Sequence, residues 1–252
     1  MALINEVPLG HRRIDIGLKL RQAWLLNGIL YNSEVWQKLT EKDKNDLNKM
    51  DHILLREILG AQAKVPIEQL YLETATLPVD KIISMRRMIY LQTILQREEG
   101  ELIRKIFLEM RSDPEKDDWC ELVKSDFENI NLKMSDLQIQ DMNPTQYKSL
   151  IKKTIREATF LELKILQESH QKGSLMHHED LNSPQNYLVT NKLTNKEISL
   201  LFNLRCQSVR GIRENFHRQY YGDLNCPLCH SNVDSQEHAL KCSVLMKHID
   251  ID

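Results

Sequence analysis

Glycine and proline are scarce in this chain of 252 residues, with 8 and 7 copies, and aromatic residues make up only 6% of it. Barrels and sandwiches lean on turn formers and aromatic strands, so the scarcity favours helices. No apolar run reaches the length that a bilayer-spanning helix needs. The opening stretch from Met1 to Pro8 carries an acid at Glu6 and no extended apolar core, so it does not read as a signal peptide. An excess of charge is missing too: the formal net charge is -2, so bulk charge selects no partner and a nucleic-acid surface must come from local patches. There is no Gly-rich phosphate loop, no His-Glu-x-x-His and no Gly-x-Ser-x-Gly. The one Asp-Asp pair, Asp117 and Asp118, falls in a polar turn, whereas a two-metal polymerase centre needs carboxylates held on a strand hairpin. The chain therefore reads as carrying no catalytic centre.

What is present is a globular balance, 41% hydrophobic and 28% charged, arranged in helical periods. A first helix is predicted over Ile14 to Tyr31, with Leu18, Ala23, Trp24, Leu26 and Ile29 buried on more than one side. A second starts at Thr40, where Asp43 completes a capping box, and stops at Gly60. Its apolar face is Leu47, Met50, Ile53, Leu54, Leu55, Ile58 and Leu59. Further helices are predicted over Ile67 to Thr74, from Pro78 to about Leu95, over Leu102 to Met110, Trp119 to Ile130 and Ser135 to Met142. The longest runs from Pro144 to Ser169, with Tyr147, Leu150, Ile151, Ala158, Leu161 and Ile165 as its stripe and Lys148, Lys152, Lys153, Arg156 and Lys164 on its open sides. Residues 170 to 192 read as a loop. Thr194 and Glu197 form a second capping box, opening a helix through Leu200, Leu201 and Leu204. Trp24 and Trp36 are assigned to the core, and the pairs Arg12-Arg13 and Arg86-Arg87 to ordinary helix surface. The expected fold is all-α, a helical bundle with a small C-terminal zinc-knuckle module. Its divisions fall at 1–112, 113–192 and 193–252, the first break lying in the polar stretch after Ser112.

Five cysteines are unevenly spread. Cys120 and Cys206 stand apart, while Cys226, Cys229 and Cys242 cluster, and an odd, clustered set favours a metal over a disulfide framework and an intracellular address. Cys226-Pro-Leu-Cys229 places two thiolates on one tight knuckle. His238 and Cys242 are four apart, one helical turn, so they point the same way. Together the four make a closed Cys3His set, the usual composition of a structural zinc site with one Zn2+ and no open position. His230 is the weaker choice of imidazole, because its neighbour Cys229 already binds. The competing reading is a redox Cys-x-x-Cys, which usually opens a helix after a strand, and Leu224-Asn225 offers little strand.

Just before the knuckle, Lys192, Lys196, Arg205, Arg210, Arg213 and Arg218 are opposed only by Glu197 and Glu214. Phe216, Tyr220 and Tyr221 are interleaved with them. Cations neutralise phosphates and aromatic rings stack on unpaired bases. Arg205, Arg210, Arg213, Arg218, Lys196, Phe216 and Tyr220 are the candidate nucleic-acid contacts, with Lys148, Lys152, Lys153 and Arg156 as a second basic strip. The bland alternative is a solvated helix face with core aromatics. The pair His177-His178 lies in a loop without a nearby cysteine and is not read as a metal site.

Several stretches taken together resemble a known family. Ile14 through Trp36 looks like the segment that follows the polymerase core in LINE-type (non-LTR) retrotransposon polyproteins, and Met50 to Gly60, Leu70 to Pro78 and Arg86 to Leu91 continue the likeness. The ending, Cys226 through Cys242, is similar to the CCHC knuckle of the branch that bears a restriction-like endonuclease. The resemblance covers almost the whole chain. It implies a fragment: thumb-side helices, a helical linker and a zinc knuckle that holds template RNA or target DNA, with a full-length retrotransposon polyprotein as a further partner. Polymerase and nicking activities would belong to that parent and to no residue here, since Asp117-Asp118 does not match the family's aromatic-x-Asp-Asp motif. Two other functions fit the same residues: a helical protein–protein interaction module pinned by a structural zinc, and a functionless insertion remnant.

Overall fold

The computed structural model describes residues 13–112, 118–133, 138–169, 182–190, 192–209, 212, 224–239 and 241–246. The polar break after Ser112, the first three residues of the helix expected at Ser135 to Met142, the pair His177-His178 and Arg12 fall largely or wholly outside them. Within the described residues the chain is all-α, and the one β interaction is a single antiparallel bridge between Asn225 and Val233. No helix among them is long and apolar enough to cross a membrane.

Helix α1 (Arg13–Leu20) runs directly into a π-helical segment, Arg21–Ile29, and a short 3-10 turn follows at Ser33–Val35. Next come α2 (Glu41–Leu59), α3 (Ile67–Thr74), α4 (Val79–Leu95), α5 (Leu102–Ser112) and α6 (Asp118–Glu128). The long α7 spans Pro144–Ser169, and α8 (Asn186–Val189) and α9 (Asn195–Arg205) lead toward the cysteine cluster. Two one-turn helices, α10 (Gln236–Ala239) and α11 (Ser243–Met246), flank Cys242. The ends are set by local chemistry. Thr40 and Thr194 both form full capping boxes, with Asp43 and Glu197 returning the bond to the cap backbone. Gly60 ends α2 at φ 62°, and a Cβ there would lie 2.3 Å from Ser199 Oγ of α9. Its carbonyl accepts from Ser199 Oγ and Asn203 Nδ2, each at 2.9 Å, so glycine is required both by the backbone and by the approach of α9.

Helices α4 and α7 form the axis of the body. The first core joins α2, α3, the second half of α7, α8 and α9 through Leu55, Ile58, Leu70, Phe160, Leu188, Ile198, Phe202 and Cys206. The second joins α4, α5, α6 and the first half of α7 through Met88, Leu91, Phe107, Trp119, Phe127, Tyr147, Ile151 and Ile155. A smaller third packs Leu25, Leu26 and Leu30 of the π-helical end on Val79, Ile82 and Ile83. The first core thus draws side chains from all three of the segments separated in the sequence.

Several sequence expectations are corrected. The first helix is not one continuous α-helix: from Arg21 its turns widen, Leu30 N–H bonding Leu25 O at 3.3 Å in the i→i+5 pattern. Ala23, Ile29 and Trp24 face outward, Trp24 at 64% exposure, and Trp36 is only half-buried. The buried group is instead Arg21, whose guanidinium binds Asp51 at 2.6 and 2.7 Å and the Leu77 carbonyl at 2.9 Å. Tyr71 also donates to Asp51, at 2.9 Å, and burial followed by the Asp51 charge pushes its phenol well above the ordinary range. Arg87 is likewise buried and pairs with Asp126 at 2.8 Å, joining α4 to α6. Where Ser135 to Met142 was expected to be helical, the described residues 139–141 form a turn; Gln92 of α4 fastens it through the Ile139 and Met142 carbonyls at 3.0 and 2.8 Å. Met50, Ile53, Leu161, Ile165, Leu200 and Leu201 are exposed, not core.

Candidate metal centre

Cys226 and Cys229 sit on a tight hairpin knuckle. Asn225 bridges Val233, Cys226 N–H donates to Asn232 O at 2.7 Å, and Asp234 N–H donates to Leu224 O at 2.7 Å. His230 N–H closes the turn onto Cys226 O at 2.9 Å, with His230 itself at φ 55°. That left-handed residue reverses the chain just after Cys229, and the His230 side chain is left exposed, away from the cluster.

The returning chain supplies the other two donors. Ser235 caps α10, its hydroxyl accepting from His238 N–H at 3.0 Å, which fixes the short helix that carries His238. Cys242 lies beyond the end of α10, between it and α11, so the expectation that His238 and Cys242 share one continuous helical turn is not met. The Lys241 N–H bond to His238 O at 2.8 Å tightens the exit from α10 and brings Cys242 round to the same side.

The ligand atoms of Cys226, Cys229, His238 and Cys242 all lie within 4.8 Å of one another. Cys226 Sγ and Cys242 Sγ are 3.9 Å apart, and Cys229 Sγ faces His238 Nε2 at 3.2 Å. A tetrahedral ion with sulfur ligands at about 2.3 Å would separate two sulfurs by about 3.8 Å and a sulfur and a nitrogen by about 3.6 Å. The four residues therefore fit a single metal ion. Cys226 and Cys242 are buried, while Cys229 and His238 are half-buried. Backbone hydrogen bonding from Ser231, with a smaller contribution from Asn232, draws the Cys229 thiol down to about 6, toward the thiolate that a metal requires. Cys206 is different in kind: it is enclosed in the first core, and burial pushes its thiol up, as for an inert structural cysteine.

The knuckle is docked on the body. Gln236 Nε2 donates to Leu204 O at the end of α9, at 2.6 Å. The spacing singles out the four residues that converge here, whereas Ser235 and Gln236 carry no signal beyond being polar residues near a helix start.

The candidate nucleic-acid residues divide. Lys196 is exposed in the first turn of α9. Arg205 is not an open cation: its Nε binds the fully buried Glu73 at 2.9 Å and its guanidinium covers the Tyr187 ring at 5.4 Å, while Tyr187 OH donates to Glu73 at 2.7 Å. Its part is to hold α9 against α3. Arg210, Arg213, Phe216, Arg218 and Tyr220 lie outside the described residues. In the second strip Lys148 and Lys152 are exposed, Lys153 pairs with Glu157 at 3.9 Å, and Arg156 donates to the carbonyls of Ala75 and Asn182 at 2.6 and 3.0 Å. No protein family, no curated protein and no solved structure matches the chain.

Proposed function

We propose that this chain is a non-catalytic nucleic-acid-binding scaffold whose C-terminal tip is built on one structural Zn2+. We further propose that it is the post-polymerase part of a LINE-type retrotransposon reverse transcriptase, acting inside the cell on template RNA or target DNA. The observation that carries the reading is the convergence of Cys226, Cys229, His238 and Cys242. Three thiolates and one imidazole favour zinc over the hard cations magnesium and calcium. A closed set of four protein ligands leaves no position for substrate or an activated water, so the ion's chemistry would be structural. The basic and aromatic stretch lies in sequence between α9 and the knuckle. Metal binding, together with the Gln236–Leu204 contact, would fix both of its attachments. The resemblance of the helical segments to a retrotransposon polyprotein supplies the template or target as the natural partner.

A helical protein–protein interaction module is the second reading, favoured by Leu102, Ile103 and Ile106, which stand exposed on α5. Zinc content of the purified chain, followed by titration with single-stranded RNA and duplex DNA at two salt concentrations, separates the two. One zinc per chain with affinity that falls steeply as salt rises supports the scaffold. One zinc with no nucleic-acid binding favours the interaction module, and a metal-free chain removes the zinc proposal.

A further inference from the structure

A cleft of about 780 Å³ opens on the side of the body where the π-helical segment faces α4 and α7. Its charge is one-sided. Arg21, Arg86, Lys148, Lys152 and Arg156 line it, and Glu34 is the one carboxylate among its lining residues. Arg21 is neutralised by Asp51. Arg86 is not: its guanidinium donates to the carbonyls of Leu26 and Leu30 and to Ser33 Oγ, neutral acceptors that hold it without cancelling its charge. Lys148 and Lys152 are exposed and have no ion-pair partner among the described residues. In a chain of net charge -2 this is a strong local concentration of positive charge.

The cleft also has rings. Tyr31 lines it with 72% of its surface exposed, and Tyr90, half-buried, lines it too. Arg86 fixes this wall: by gathering the carbonyls at the C-terminal end of the π-helical segment it sets the position of the turn that carries Tyr31. Gln22 and Asn27, from the same segment, add amide groups to the lining.

We infer that this cleft binds a single-stranded nucleic acid, with Lys148, Lys152 and Arg86 on its phosphates and Tyr31 stacked on a base. The inference rests on the nucleic-acid reading above and places a contact surface in the helical body, apart from the zinc tip. Lys148, Lys152 and Arg156 recur every four residues on α7, about 6 Å apart along its axis. A row of cations suits a polymer whose charges recur along a line better than one compact phosphate. A solvent-exposed ring beside such a row is the arrangement that binds unpaired bases without reading their sequence.

The test is fluorescence anisotropy with a labelled 12-nucleotide oligo-uridine and a duplex of the same length, across a salt series, with circular dichroism as the control for folding. Lys148→Ala combined with Lys152→Ala is expected to weaken binding of the single strand about tenfold at low salt, and to reduce the magnitude of the log–log salt slope by about 1.4, from about 0.7 per lost phosphate contact. Tyr31→Ala is expected to cost at least about fivefold while leaving the slope unchanged, because a ring carries no charge. Wild-type affinity and slope in both variants, with binding lost in Cys226→Ser, would overturn the cleft and leave the zinc-tip reading standing. Absence of binding by the wild-type chain would overturn both. Equal affinity for duplex and single strand, with Tyr31→Ala silent, would overturn the assignment to single strands.

Discussion

The helical body and the C-terminal tip of this chain are stabilised by different means. The body buries three apolar clusters and threads them with internal ion pairs, Arg21–Asp51 and Arg87–Asp126. Among its described residues the tip, from Leu224 to Met246, buries only Cys226, Asp234 and Cys242, and its helices are one turn long. A segment that small cannot offset the entropy of ordering its own backbone. The same chain therefore contains a part that hydrophobic burial can fold and a part whose four clustered donors could instead be joined by an ion. Each of the following changes should act on one part and spare the other.

The largest effect belongs to the metal. Structural zinc contributes about 10–16 kcal/mol of apparent binding free energy in isolated zinc-finger peptides, far more than any side-chain contact in the tip. Cys226→Ser or Cys242→Ser should abolish metal uptake and unfold the tip, while the helical signal of the body in far-ultraviolet circular dichroism stays nearly unchanged. Hydrogen exchange would resolve the two regions directly, with protection lost from residue 224 onward and kept in α4 and α7. Undiminished metal content in both variants would rule out the ligand set.

The next effect belongs to the body. Asp51 is completely buried and accepts from Arg21 twice and from Tyr71 once. Asp51→Ala would leave a guanidinium and a phenol inside the protein without their acceptor, a change that costs about 3–5 kcal/mol. The urea midpoint should fall accordingly, with Asp51→Asn, which keeps one acceptor, lying between the variant and the wild type. Zinc content should be unaffected. Loss of metal in Asp51→Ala at temperatures where the body remains folded would show that the two parts are not independent.

The contrast also explains what could be read from sequence. Capping boxes at Thr40 and Thr194, the proline starts at 66, 78 and 144 and the glycine stop at 60 are local events, and the structure has helix ends at each. The four clustered residues were legible for the same reason, since the Cys3His set is written within seventeen consecutive residues. Which face of a helix is buried is not local. In α7 six of the seven buried side chains step by four, through Tyr147, Ile151, Ile155, Thr159, Leu163 and Gln167, with Phe160 beside them. Each step of four overshoots a full turn by about 40°, so the contact line winds around the helix as it passes from the second core to the first. A straight stripe through Leu161 and Ile165 misses that rotation. Arg87 falls in a pair assigned to helix surface, and neither its burial nor that of Arg21 is announced locally, because their partners Asp126 and Asp51 lie 39 and 30 residues away. The boundary of the C-terminal tip is not local either: α9 adjoins the knuckle in sequence but gives Ile198 and Phe202 to the first core.

That last point yields the smallest and most discriminating effect. Thr40 and Thr194 cap α2 and α9 with the same chemistry, and replacing either by alanine should cost about 1 kcal/mol. Thr40 lies far from the metal in sequence, whereas Thr194 opens the helix on which the knuckle rests through Gln236 and Leu204. Because α9 is held to the body by Ser199 and Asn203 at Gly60 and by Arg205 at Glu73, its cap should contribute to unfolding of the body and not of the tip. Thr194→Ala should then lower the main unfolding midpoint by the same amount with zinc bound and after chelation, in parallel with Thr40→Ala. A loss that appears only with zinc bound would assign α9 to the metal module and move the boundary between the two regions from the knuckle back to Thr194.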